Sequence, residues 1–252
     1  MDLAMDLSQK VGLALALVFL LLLYASRLEV KARGSPPLRP LRALESLRRA
    51  LNRAIESGKP VHVSIGTGSI GERDTAESMA GLAVLGYVEE QGSYYRTPVL
   101  STFATPSTLV AAYDARRKAT EAGGTPPPGR IYFLAPQKIA YAAGASEVIK
   151  DEEAQVNVMI GSFGYEYLLL GEMTEHRGIE HIGGTTDPRV LPFVYASSEN
   201  YLLGEEIFAA NAYLSSNPGA LASLLAQDRM RTLLAVLIVV GMILKSLGVI
   251  GG

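Results

Sequence analysis

The sequence predicts an α/β fold: a three-layer, mostly parallel sheet with helices on both faces, flanked by an N-terminal and a C-terminal transmembrane helix. Three observations predict it. Short runs rich in β-branched and aromatic residues alternate with longer helical stretches. Several of those helices start at a capping side chain followed by proline. An apolar segment without charges stands near each end of the chain.

The first apolar segment runs from Val11 to Ala25. A span needs about 20 largely apolar residues. This one gains length by reaching back to Leu7, with Lys10 snorkelling at its outer end. It is apolar on every face, whereas a surface helix shows a polar stripe. A cleaved signal peptide would carry a positive n-region. Asp2 and Asp6 stand there against a lone Lys10, so a retained anchor is expected. Gly34-Ser35-Pro36-Pro37 then breaks the chain and makes a loose linker. From Leu41, apolar residues fall at Leu44, Leu47, Leu51 and Ile55, a spacing of three and four that marks one helical face. Arg42, Arg48, Arg49 and Arg53 occupy much of the rest, and Gly58 supplies a stop. The expectation is a helix with its Leu face on the domain and its Arg face toward anionic lipid.

Predicted strands follow at Val61–Ile65, Pro98–Thr102, Arg130–Leu134, Val156–Ile160 and Phe193–Tyr195. Between them lie helical stretches at Glu72–Val88, Ser107–Ala122, Ile139–Ile149 and Tyr165–His176. Thr105-Pro106, Asp187-Pro188 and Asn217-Pro218 are read as helix starts. Gly123 to Gly129 reads as a surface loop. A last helix begins at Asn217-Pro218 and leads through Leu221, Leu224, Leu225 and Met230 into the second apolar segment. That segment runs from Thr232 to Leu244 and passes Lys245 to reach Ile250. The expected organisation is a transmembrane segment over 1–26, a linker over 27–40, a Rossmann-like α/β domain over 41–230 and a second transmembrane segment over 231–252.

Lys and Arg stay on the cytoplasmic side of a span. Arg27, Lys31 and Arg33 follow the first segment, and Arg229 and Arg231 precede the second. The expected topology is therefore two spans of the inner or plasma membrane, with both termini outside and the central domain cytoplasmic. The chain has no cysteine, which removes thiol catalysis and zinc-thiolate sites. A net charge of −2 makes no electrostatic case for nucleic acid.

Gly66-Thr67-Gly68-Ser69-Ile70-Gly71 matches G-x-G-x-x-G after a predicted strand and before a helix, the context of a dinucleotide fingerprint. There, glycines let the backbone approach a pyrophosphate at a helix N-terminus. Gly66, Thr67, Gly68, Ser69 and Gly71 are the candidate cofactor-binding residues, and a nucleotide is the alternative to no cofactor. The second predicted strand ends Ser101-Thr102-Phe103 without the acid that would hold a ribose. Glu89 and Glu90 are at about the right sequence distance but on the preceding helix. Glu72 and Asp74 put negative charge near the phosphate position. The competing reading is a tight βα turn. Gly161-Ser162-Phe163-Gly164 and Gly183-Gly184-Thr185-Thr186 read as further polar turns at strand ends.

Catalytic constellations are missing. His62 lies within a predicted strand and reads as structural. His176 and His181 lack the spacing of a metalloprotease pair, so no metal is expected. There is no G-x-S-x-G elbow and no P-loop lysine. Glu166, Glu172, Glu205 and Glu206 are carboxylates that nothing in the sequence singles out.

The stretch Val158 to Glu172, VMIGSFGYEYLLLGE, resembles a family of uncharacterised bacterial membrane proteins. So do Gly66-Thr67-Gly68-Ser69 with Ala80 to Leu85, Leu203 to Leu214, and Ser223 to Asp228. The resemblance covers nearly all of the central region. It implies a Rossmann-like cytoplasmic domain and carries no activity, so no site residue transfers. The functional expectation is a membrane-anchored scaffold, forming a homo-oligomer or a hetero-oligomer with a homologous chain. Its partners are the lipid bilayer and other copies, not nucleic acid. Small residues crowd Ala80-Gly81-Leu82-Ala83-Val84 and Ala209-Ala210-Asn211-Ala212, faces that pack closely either inside a domain or between subunits. The alternative is a membrane-tethered nucleotide-binding enzyme or sensor using Gly66 to Gly71.

Overall fold

The structure is a computed structural model that describes residues 6–34, 38–215 and 217–246. They form two units: an α/β unit, Arg39–Ser215, and a unit made from the two ends of the chain.

The α/β unit begins with α2 (Arg42–Ser57), after the terminal helix α1 (Leu7–Arg33). Leu44, Leu47 and Leu51 are buried as their spacing requires, and Gly58 ends the helix at φ 67°. Then come β1 (Val61–Gly66), α3 (Thr75–Tyr95), β2 (Val99–Phe103), α4 (Pro106–Gly123), β3 (Ile131–Phe133) and α5 (Lys138–Asp151). The second half is β4 (Val156–Ser162), α6 (Glu166–His176), β5 (Glu180–Thr185), α7 (Leu191–Ser197), β6 (Asn200–Leu203) and α8 (Glu206–Ser215). All six strands are parallel, in the order β3-β2-β1-β4-β5-β6. This is the doubly wound order of a Rossmann sheet, whose switch point lies between β1 and β4. Helices α3 and α4 pack together on one face, with α8 and α2 beside them; α5, α6 and α7 pack on the other.

The face covered by α5 and α6 is partly polar. His62 of β1, Asn157 of β4 and His181 of β5 stand side by side in register. His62 Nδ1 lies 2.7 Å from Asn157 Oδ1, and Asn157 Nδ2 lies 3.2 Å from His181 Nδ1. Thr102 Oγ1 bonds His62 Nε2 at 3.1 Å, and Tyr167 OH bonds His181 Nε2 at 2.8 Å. Tyr141 OH joins Ser64 and Thr102 at the same end. One set of tautomers satisfies the row: His62 donates from Nδ1 and His181 from Nε2. Every member of this ladder is buried. Burial disfavours the charged imidazole, which lowers both histidines to about 4, and it raises the Tyr141 phenol to about 12.

Three expectations are corrected. Phe193-Val194-Tyr195 is not a strand but the centre of α7, which has Pro192 in its first turn. Asp187-Pro188 opens a hydrogen-bonded turn ahead of that helix and does not cap it directly. Gly183, Gly184 and Thr185 are not a turn but the end of β5. Gly183 sits in a strand because Tyr167 OH occupies the space its Cβ would need.

The terminal unit pairs α1 with α9 (Pro218–Ser246). The pair is antiparallel: Phe19 adjoins Leu234 and Ile238, while Arg229 reaches back to Ser26 and Glu29. Asn217 caps α9, accepting the Gly219 N–H at 2.8 Å. Among the described residues, one helix is long and apolar enough to cross a membrane, Ser8–Arg33. The sequence led to an expectation of two. The second apolar segment lies in α9, and its continuation from residue 247 falls outside the described residues, as do Ser35–Pro37 of the expected linker. The expected domain boundary at residue 230 falls inside α9.

Candidate functional site

In open α/β sheets, ligands bind beyond the carboxyl ends of the strands at the switch point. Here that crevice is walled by the chain leaving β1 toward α3 and the chain leaving β4 toward α6. The two strand ends interlock. The pairing shifts register between Ser64 and Gly66. Gly66 has φ 87°, and the Ser162 carbonyl fills the space of a Cβ. Thr67 N–H donates to that carbonyl at 3.0 Å.

The other residues of the turn are tied to their own protein. A Cβ on Gly68 would lie 2.6 Å from Ser162 Cβ, 2.7 Å from Ser78 Oγ and 3.1 Å from Asp74 Cβ. Thr105 Oγ1 donates to the Gly68 carbonyl at 2.9 Å. Ser69 Oγ meets Ser107 Oγ at 3.0 Å, and Ile70 N–H donates to Ser107 Oγ at 3.1 Å. Gly71 has φ 98° and open space around it. Helix α3 starts at Thr75, with Asp74 at the N-cap position making no side-chain cap bond and Glu77 in the first turn.

Gly66, Thr67, Gly68, Ser69 and Gly71 thus stand at the switch point, but their contacts differ from the fingerprint. The close approach at Gly68 is to Ser162, Ser78 and Asp74. Tight helix-to-sheet packing is supplied by Gly81, whose Cβ would strike the Ile160 carbonyl and Ile65. No acid ends β2. Glu89 is fully buried under α4, where Arg116 Nε and Nη2 each bond its carboxylate at 2.9 Å. Burial pushes the Glu89 carboxyl up, and Arg116 opposes that shift.

The sequence did not reveal the charges that meet here. Glu166, the first residue of α6, is fully buried. Its Oε1 accepts from Thr67 Oγ1 at 2.8 Å and from Gly164 N–H at 2.7 Å. Its Oε2 has no hydrogen-bond partner, and Lys138 Nζ lies 4.0 Å away. Ser78 Oγ, below Gly68, is also buried without a partner. Glu77 has its carboxyl raised by burial and by the like charges of Asp74 and Asp187, against a hydrogen bond from Ser162. Arg189 clamps Asp187 with three contacts of 2.7–3.2 Å and holds its carboxyl low. The crevice is therefore acid-rich, with two buried polar atoms lacking partners. It favours a hydrogen-bond donor over a pyrophosphate.

Glu172 pairs with His176 on the surface of α6, and Glu206 accepts the Leu203 N–H and pairs with Arg39. Among the described residues, no three His, Asp or Glu side chains converge to hold a metal. A second concavity, a cleft of about 590 Å³, opens at the opposite edge of the sheet, beside the start of β5 and β6.

The family model for a domain of unknown function, DUF6754, matches residues 4–251, and the chain belongs to that family. Nothing matches among curated proteins or among solved structures.

Proposed function

We propose that this chain is a membrane-anchored Rossmann-type scaffold that works as an oligomeric assembly. The observation that carries the reading is the outer surface of the α1–α9 pair. Val11, Leu13, Leu17, Leu20 and Leu21 on α1 are at least half exposed, as are Val236, Leu237, Ile238, Met242 and Ile243 on α9. Burying one such side chain is worth about 1.5–3 kcal/mol, and a contiguous bare patch of this extent marks a membrane or protein contact. Lipid covers most of it in this reading. Both helices cross the inner or plasma membrane, with both termini outside and the α/β unit in the cytoplasm, following the Arg and Lys flanks. Identical copies, or a homologous second chain, cover the rest. Gly12 and Gly241 have open space at their Cβ positions, which leaves close-approach points for a neighbouring helix.

Two experiments test this. Protease added outside sealed, right-side-out cells leaves residues 39–215 intact; digestion there refutes the topology. Native mass spectrometry in mild detergent finds a defined multiple of the chain, and a monodisperse single copy over a wide concentration range refutes the assembly.

A nucleotide on Gly66 to Gly71 is the second reading. The strand order and the position of the turn at the switch point favour it. The filled space around Gly68 and the acids Asp74 and Glu77 oppose it. Saturable binding of ADP or NAD that is lost in Gly71→Val would support it.

A further inference from the structure

We infer that the cleft at the amino-terminal edge of β5 and β6 binds an organic ammonium group. A volume of about 590 Å³ is in the range of small-molecule sites. Its walls combine two features that together select a cation. Tyr195 from α7 and Tyr201 from β6 stand with ring centroids 5.3 Å apart and planes tilted by 55°, so they offer two faces set at an angle. Aromatic faces attract alkylammonium groups through the ring quadrupole. Glu175, Glu180 and Glu199 also line the cleft, and no Lys or Arg does. Arg53 neutralises Glu180. Glu175 and Glu199 have no ion pair among the described residues. An anion would meet uncompensated carboxylates here; an ammonium would complete them.

The floor keeps the site from being neutralised from below. His181 lines the cleft with both ring nitrogens engaged, by Asn157 and Tyr167, and burial keeps its imidazole neutral at pH 7. Ser198 Oγ fixes the adjoining loop: it accepts the Asn200 N–H at 3.2 Å, and its one proton is within reach of the His181 and Asn200 carbonyls. Tyr195 is 66% exposed and so stays available to a ligand.

The test uses the full chain in a maltoside detergent, because phosphocholine detergents carry the probe's own group. Choline, n-butylammonium and the neutral choline isostere 3,3-dimethylbutan-1-ol are titrated by ligand-observed NMR. We expect saturable binding of a cation, about tenfold tighter than the isostere. A preference for choline points to a free quaternary ammonium, and a preference for n-butylammonium to a lysine-like side chain. Tyr195→Leu and Glu199→Gln each weaken binding by roughly fivefold, while Tyr195→Phe keeps it. Both positions are exposed, so these variants fold. Equal binding of the isostere, no saturable binding of either cation, or unchanged binding in Tyr195→Leu overturns the inference. None of these outcomes depends on oligomeric state.

Discussion

The histidine ladder gives the sharpest prediction. The Asn157 side chain bridges His62 and His181, and Asn157→Val removes that bridge. Valine suits a strand and adds little bulk. The substitution leaves the His62 Nδ1–H without its acceptor at 2.7 Å; His181 Nδ1 loses its donor at 3.2 Å but keeps the Asn157 backbone carbonyl at 3.3 Å, to which the other tautomer donates. His62 is fully buried, so water does not replace Asn157 there. One unsatisfied buried polar group costs about 1–3 kcal/mol, and that is the expected loss. For a chain of 252 residues this is a fall in Tm of roughly 2–12 °C. Circular dichroism melts of the full chain in detergent measure it.

The control is the triple variant His62→Leu, Asn157→Val, His181→Leu. Removing all partners of a network together is close to neutral, whereas removing one is not. Thr102 Oγ1 keeps Tyr141 as its partner, and Tyr167 keeps Ser197. The triple variant is therefore expected to melt above Asn157→Val. If Asn157→Val loses less than about 1 kcal/mol, or if the triple variant is less stable than the single one, the ladder is not a satisfied network and the reasoning fails.

His62 and His181 are lowered from 6.5 to about 4 in the folded chain, so the unfolded chain binds more protons between those values. Their contribution is complete above about pH 6.5 and lost as pH falls toward 4, on the order of 3 kcal/mol per histidine. The raised carboxyls of Glu77 and Glu89 act in the opposite sense and trim the loss. Melting temperature should therefore fall steadily from pH 6.5 to 4, and a flat profile would show that the imidazoles titrate normally. Gly68→Val drives a branched side chain into Ser162, Ser78 and Asp74, with an expected cost of about 1–3 kcal/mol; an unchanged melt would mean that the turn yields freely.

Where the sequence carried the fold, it did so through periodicity and caps. The first four strands read as compact β-rich runs, and α2, α4 and α9 begin or end at the expected Pro and Gly residues. β5 was missed because Glu180-His181-Ile182-Gly183-Gly184-Thr185 has no β signature. Its glycines are required by Tyr167 and by the close approach of Leu202 and Ile207, contacts that exist only in three dimensions. Phe193-Val194-Tyr195 looked like a strand because a short apolar run does not distinguish strand from helix by composition. The site was half legible. Its glycine turn was visible as a pattern, but the partners were not: Glu166 meets Thr67 across 99 residues of sequence. Glu89, at the sequence distance of a ribose-binding acid, is committed to Arg116.

The packing also bears on where copies of this chain would meet in the proposed assembly. The small-residue stretches offered two uses, inside the domain or between subunits. Ala80, Gly81, Leu82 and Val84 are buried, with Gly81 against Ile160 and Ile65 of the sheet. Ala209, Ala210 and Ala212 of α8 are buried as well, and α8 packs on α3. Those faces are spent within one domain and are not available to a second copy. The basic side of α2 is also partly committed: Arg48 donates to the Tyr213 carbonyl at 2.5 Å and Arg53 pairs with Glu180. Fewer arginines then remain for lipid head groups than the sequence alone promised. In the proposed assembly, contact between copies therefore falls to the terminal helices. Their apolar faces are bare, and Gly12 and Gly241 leave room for another helix to approach.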